Sequence, residues 1–92
     1  MSSLEIVGLR AIEYVRALNA LKKSKYALLE RMALYDKGFN GGRRVTRENP
    51  LYENLEAFCF YEFRDKYKAR SEADNAKRRL MRAVLKHELG VA

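Results

Sequence analysis

An apolar repeat at alternating three- and four-residue steps runs through the first third of this chain. The repeat lasts four and a half heptads and contains one polar residue, Lys25. Such spacing is typical of a helix that packs along one seam. It predicts a first helix over about residues 3–37, capped by Ser2 or Ser3 and followed by Gly38. The seam positions are Leu4, Val7, Ala11, Tyr14, Leu18, Leu21, Lys25, Leu28, Met32 and Tyr35.

A second helical pattern follows, over about residues 50–89. Asn49 suits the N-terminal cap, Pro50 suits the first helical position, and Gly90 suits the residue after the end. Small side chains fill the middle of its inner stripe and bulky ones fill both ends. The predicted inner positions are Tyr52, Leu55, Cys59, either Phe63 or Lys66, Ala69, Ala73, Ala76, Leu80 and Val84.

Residues 38–49 connect the two helices, in the stretch where glycine, proline and arginine crowd together. Glycines 38, 41 and 42 favour a reversal of the backbone, and no Lys-Ser or Lys-Thr pair of a phosphate-binding loop is present. The chain of 92 residues is therefore predicted to be all-α, a single domain in which two long antiparallel helices form a helical hairpin. Arg43, Arg44 and Arg47 should form an exposed basic tip at the connector.

Apolar residues lie outside the predicted seam as well as on it. Two helices bury only one stripe each against one another, and leaving the remaining side chains in water would cost many kcal/mol. A homodimer that forms an antiparallel four-helix bundle would cover them. The off-seam residues are Ile6, Ile12, Val15, Leu29, Phe58, Phe60, Tyr61, Tyr67, Met81 and Leu85.

Aromatic residues concentrate in "EAFCFYEFRDKY", residues 56–67. The pattern favours a core plus a dimer interface, and the alternative is a platform for a partner groove or for bases. Cys59 lies on the inner stripe and is interpreted as a small buried apolar residue. The candidate partner interface is Phe58, Phe60, Tyr61, Phe63 and Tyr67.

The formal net charge is +7, and the basic excess is largest late in the second helix. On a helical projection a basic row about 33 Å long lies opposite the alanine stripe. Arginine favours bidentate contacts with phosphate or carboxylate, although a solvated face is the equally weighted alternative. The candidate residues for nucleic acid or an acidic partner are Arg43, Arg44, Arg47, Arg64, Lys68, Arg78, Arg79, Arg82 and Lys86.

No catalytic or metal-binding spacing accompanies His87, the only histidine, so we expect neither enzymatic activity nor a cofactor. A single cysteine favours a reducing compartment. Glu5, Arg10 and Glu13 interrupt the N-terminal segment, which leaves no apolar run for a signal peptide or a membrane span. We expect a cytoplasmic protein, in the host cytoplasm if a phage encodes it.

Two functions remain open from the sequence. The first is a small basic helical dimer that binds DNA, RNA or a nucleoprotein complex through the second helix and the connector. The alternative is an adaptor or inhibitor, possible for a phage or mobile-element product, that docks on a host protein through its apolar seam and aromatic segment. The predicted architecture is similar to that of Rop-type RNA-binding hairpin dimers, an analogy of fold that carries no residue across.

Overall fold

The computed structural model describes residues 1–90, and within them all regular structure is helical. Helix α1 covers Ser3–Phe39, the short helix α2 covers Tyr52–Phe58, and α3 covers Phe60–Glu88. Two long helices are thus joined through a short one. Across residues 1–90, no helix combines the length and apolar character that a bilayer span requires.

Side chains and glycines define the two ends of α1. Ser2 Oγ accepts the Glu5 backbone N–H at 3.1 Å and donates to Glu5 Oε1 at 3.1 Å, so the predicted cap is Ser2. At the other end, the Asp36 carbonyl accepts the backbone N–H groups of Asn40 and Gly42. Gly41 and Gly42 have φ values of 61° and 81°, the left-handed region that glycine tolerates. The helix ends at Phe39, two residues past the predicted end, because Gly38 remains inside it.

Asn49 closes the turn that leads into α2. Its Oδ1 accepts the Leu51 N–H at 2.9 Å, and its carbonyl accepts the Tyr52 N–H at 2.9 Å. Asn49 thus makes a side-chain contact in the turn before α2, whereas the residue that directly precedes the helix is Leu51, which has no side-chain capping bond. The helix starts at Tyr52 and not at Pro50, because residues 49–52 form this turn first.

The prediction of one helix over residues 50–89 is wrong at Cys59. This residue has φ −102° and ψ 19° and separates α2 from α3. The helical hydrogen bonds nevertheless continue through it, since Cys59 N–H donates to the Leu55 carbonyl and Phe63 N–H to the Cys59 carbonyl, both at 2.9 Å. The change is in backbone angle and not in hydrogen bonding, which is why no glycine or proline marks it.

The chain divides into two compact units. The second unit is Lys22–Tyr67, and its core joins the end of α1, the connector, α2 and the start of α3. Leu55 and Cys59 are completely buried there. The buried members of this core are Leu28, Tyr35, Val45, Leu55 and Cys59.

The first unit combines residues 1–21 with the chain after Tyr67. A hydrogen bond of 2.8 Å joins Ser3 Oγ to His87 Nδ1, and Arg79 Nε lies 3.9 Å from Glu13 Oε2. The buried side chains are small, which lets the helical segments approach closely. They are Ala69, Ala73, Ala76 and Ala83. That residues 1–92 form one domain stays a prediction.

The inward stripe of α1 differs from the predicted seam at several positions. Leu18 and Lys25 are exposed, while their neighbours Ala17 and Ser24 are half-buried. Half-buried residues still recur every seven positions, at Ser3, Arg10, Ala17 and Ser24, so the repeat is kept and one of its two alternating positions lies one residue earlier than predicted. The inward-facing positions therefore move back by one residue along part of α1, and Lys25 points to solvent.

Candidate functional site

A groove of about 500 Å³ opens on the second unit. Four segments form it: α1 from Lys25 to Met32, the connector from Arg44 to Glu48, Tyr52 at the start of α2, and two residues of α3, Phe63 and Lys66. Its size lies in the usual range for small-ligand sites. The lining residues are Lys25, Leu28, Leu29, Met32, Arg44, Val45, Thr46, Arg47, Glu48, Tyr52, Phe63 and Lys66.

Val45 anchors the connector wall of this groove. Its side chain is only 2% exposed and belongs to the core, and its backbone N–H donates to Asp36 Oδ1 at 3.3 Å. On the preceding side, Asn40 Nδ2 donates to the Arg43 carbonyl at 2.9 Å. The backbone on either side of Arg44 is therefore fixed. These contacts place a connector without regular secondary structure against two helices.

The floor of the groove is continuous with the core. Leu28 and Val45 are buried core residues, and Met32, Tyr52 and Phe63 are partly buried and pack against that core. Because these side chains are held by packing, the floor is preformed. An apolar or aromatic group that entered the groove would leave water at little cost in reorganisation.

Four cationic side chains surround this floor. They come from three parts of the fold: Lys25 from α1, Arg44 and Arg47 from the connector, and Lys66 from α3. Within residues 1–90 none of the four forms an ion pair. Glu48 is the only acidic side chain among the lining residues. The groove therefore has an uncompensated positive charge beside an apolar surface.

The three predicted connector arginines do not act as one group. Arg44 and Arg47 line the groove, whereas Arg43 does not. All three are exposed. The fold therefore places two of these arginines, Arg44 and Arg47, at the groove and the third, Arg43, outside it.

The predicted basic row of α3 is partly neutralised. Arg79 approaches Glu13, although that carboxylate is also held by Arg10 at 3.0 Å. Arg78 donates to Asn75 Oδ1 at 3.1 Å, and Arg64 lies 3.6 Å from Asp65. The two carboxylate contacts reduce the charge that Arg79 and Arg64 present to a partner, whereas the neutral Asn75 amide leaves the charge of Arg78 unchanged.

The remaining members of the row are Lys68, Arg82 and Lys86. They are exposed, and among the described residues they form no ion pair. All three belong to the first unit. Spacing along the helix brings them to one face. They are the members of the row best placed to contact an anionic partner.

The predicted aromatic interface also divides. Phe58 and Phe63 pack against the core, whereas Phe60, Tyr61 and Tyr67 are 58%, 64% and 59% exposed. A shallow depression with a volume of about 470 Å³ lies beside Phe60, Phe63 and Tyr67. Its lining residues are Tyr52, Glu56, Ala57, Phe60, Phe63, Arg64 and Tyr67. Tyr52 and Phe63 belong to both this depression and the groove.

Cys59 and His87 occupy structural positions. Cys59 is buried and free, and burial, together with the nearby Glu62 carboxylate, raises the pKa of its thiol. His87 is half-buried beside Ser3. In residues 1–90 no three side chains of the His, Cys, Asp and Glu types come together as a metal-binding group. The sequence interpretation of Cys59 as a buried apolar residue matches its position.

Sequence reasoning missed Lys25 and Lys66 as site residues. Lys25 was assigned to the inward seam, and Lys66 was an alternative to Phe63 on the inner stripe of the second helix. One signal was present: Val45 is the only apolar residue between Asn40 and Asn49. A lone apolar side chain among arginines and glycines indicates a contact that returns the connector to the core.

Comparisons with known proteins found no matching family model, no matching curated protein and no matching solved structure.

Proposed function

We propose that this protein binds nucleic acid without catalysing a reaction, and that Lys68, Arg82 and Lys86 on α3 contact phosphates. The observation that carries the proposal is that these three side chains are exposed on one helix and have no ion pair within residues 1–90. The net charge of +7 acts in the same direction. Phosphate contacts of this kind give affinity and position without reading sequence.

The proposal also includes a specific arrangement of the helices and an oligomeric state. We propose that α1 runs antiparallel to the helices after the connector as a helical hairpin, and that two copies pair into a four-helix bundle. Support comes from apolar side chains that stay in water in a single chain. Ile12 and Val15 are 51% and 55% exposed on α1, and Met81 and Leu85 are 59% and 62% exposed on α3. Covering such residues is the usual reason that amphipathic helices associate.

The dimer is tested by sedimentation at micromolar concentration. The wild type should sediment at about twice the chain mass, and Val15→Glu should shift it toward the mass of one chain. Leu34→Glu is a matched control, because Leu34 is 59% exposed but belongs to the second unit, whereas Ile12, Val15, Met81 and Leu85 belong to the first. A well-folded wild-type monomer with a sharp thermal transition would refute the dimer.

Docking on another protein is the second candidate function. Its supporting observation is the exposed aromatic group of Phe60, Tyr61 and Tyr67 beside Arg64, since aromatic and arginine side chains dominate protein interfaces. In this case the basic face would steer the protein toward an acidic surface. Failure to bind nucleic acid would favour this candidate.

The binding test measures affinity for a labelled DNA duplex and a labelled RNA duplex over a salt series. Each phosphate contact contributes about −0.9 to the slope of log affinity against log salt. The double variant Arg82→Gln with Lys86→Gln should therefore flatten the slope by about 1.8. Lys23→Gln with Lys37→Gln removes the same charge from α1 and should leave the slope nearly unchanged. Absence of salt-dependent binding by the wild type to either duplex would overturn the proposal.

A further inference from the structure

The groove of the second unit joins two features that the α3 row lacks, a preformed apolar floor and cations from three separate segments. From this juxtaposition we propose that the groove binds an unpaired nucleotide of a single strand, with the base on the floor and the adjoining phosphates on the rim. The inference rests on the proposed function, because it names the form of nucleic acid that this second site takes. The sequence did not assign Lys25 and Lys66 to any site.

The floor suits a flat aromatic group. Tyr52 and Phe63 stand at the helix side of the groove, and Leu28, Met32 and Val45 continue it as an apolar surface. A base that enters gains stacking and dispersion contacts, and this mode tolerates any base because each has a π face. Its volume of about 500 Å³ is large enough for such a group.

The cationic side chains of the rim can pair with several negative charges, and a ligand with a single negative charge would leave most of them unpaired. Lys25, Arg44, Arg47 and Lys66 outnumber the single acid Glu48, and they come from three different segments of the chain. A carboxylate such as a fatty acid head group would neutralise only one of them. A nucleic acid strand brings a phosphate on each side of every base, so consecutive phosphates meet cations from different segments. Glu48 supplies an acceptor for an N–H group on the edge of the base, such as the ring N3–H of thymine.

A base pair excludes this mode of binding. In a duplex each base is stacked and paired, so its face is not free to lie on an apolar floor. Single strands present the face of the base and its phosphates together. The groove therefore distinguishes single from double strands, whereas the α3 row contacts phosphates of either.

The test uses the full-length protein and a labelled oligothymidine single strand, with a DNA duplex measured in parallel. Lys25→Gln with Lys66→Gln should flatten the salt slope for the single strand by about 1.4, because single strands contribute about −0.7 for each contact. The duplex slope should stay unchanged. The same-charge control is again Lys23→Gln with Lys37→Gln. Methyl signals of Met32 and Val45 should shift when the single strand is added.

The outcomes separate this inference from the proposed function. If duplex binding persists while the groove variant binds the single strand as the wild type does, the groove inference is overturned and the proposed function stands. If the wild type binds neither polymer at low salt, the proposed function is overturned. The groove is then tested alone with thymidine 5′-monophosphate, and unshifted Met32 and Val45 methyl signals would overturn the inference as well.

Discussion

The guanidinium carbon of Arg31 lies 3.8 Å from the centre of the Phe58 ring, so a cation on α1 covers an aromatic side chain on α2. The same guanidinium reaches α3, since Arg31 Nε lies 3.3 Å from Glu62 Oε1. Phe58 also packs on the Tyr35 ring at 5.5 Å. One side chain therefore links three helices of the second unit.

Removal of this link should weaken the second unit modestly. Arg31→Gln is expected to lower the free energy of unfolding by about 1 kcal/mol, because the ion pair is partly exposed and the ring contact is worth a similar amount. Urea unfolding followed by circular dichroism measures the change. Arg31→Lys should restore only part of the loss, since an ammonium lacks the planar stacking of guanidinium. Equal stability of all three proteins would show that the contact contributes nothing.

Val45→Ala should destabilise the fold by about 2 kcal/mol, because it removes two methyl groups from a buried site. It should also weaken single-strand binding more than duplex binding, since Val45 fixes the segment that carries Arg44 and Arg47. Urea unfolding and the paired binding assay report the two effects. Leu34→Ala, a larger truncation at a side chain that is 59% exposed, is the control and should cost little. A Val45→Ala protein as stable as the control would show that the connector is not anchored.

Lys25→Leu tests whether residue 25 lies on the inward seam of α1, as the sequence predicts, or is exposed at the groove, as in the structure. An inward seam position would make the leucine variant melt at a higher temperature than the wild type, as expected for a polar seam residue. The exposed position at the groove instead predicts a change in stability within about 0.5 kcal/mol and a weaker affinity for single strands. Thermal unfolding decides between them. A clear rise in melting temperature would restore the seam assignment.

The Cys59 thiol gives a pH dependence with a definite sign. Burial raises its pKa in the folded protein, so between the unfolded and folded values the native state holds more protons than the unfolded state. Its contribution to stability is complete below the unfolded value of about 8.5 and is lost as pH rises through the folded value. The stability advantage of the wild type over Cys59→Ala should therefore shrink as the pH rises above the unfolded value. Urea unfolding at each pH measures it, and a constant difference would contradict the assignment.

The helical periodicity predicted the inner stripe of the second half of the chain because burial there repeats with the helix itself. Leu55, Cys59, Ala69, Ala73 and Ala76 are all buried as expected. Periodicity was less reliable on α1, where the inward face includes Ala17 and Ser24 in place of the predicted Leu18 and Lys25. Local spacing fixes which residues share a face, and packing then decides which face turns inward.

The groove was beyond prediction from local patterns. Lys25, Arg44 and Lys66 are distant in the sequence, and they meet only because Val45 returns the connector to the core. The interruption at Cys59 was also invisible, since the helical hydrogen bonds on both sides of it are retained. The two arginines of the connector that reach the groove were found from composition, but their separation from Arg43 required the fold.

Asp36 has a consequence for how the chain folds. Its carbonyl accepts the N–H groups of Asn40 and Gly42, and its carboxylate accepts that of Val45, so these three hydrogen bonds reach no further than nine residues along the chain. Closing such a short loop costs little chain entropy, and local contacts are typical of fast steps. The corner after α1 can thus assemble before the distant helices meet. We expect the wall that carries Arg44 and Arg47 to be in place early, so that later helix docking completes the groove against a segment already formed.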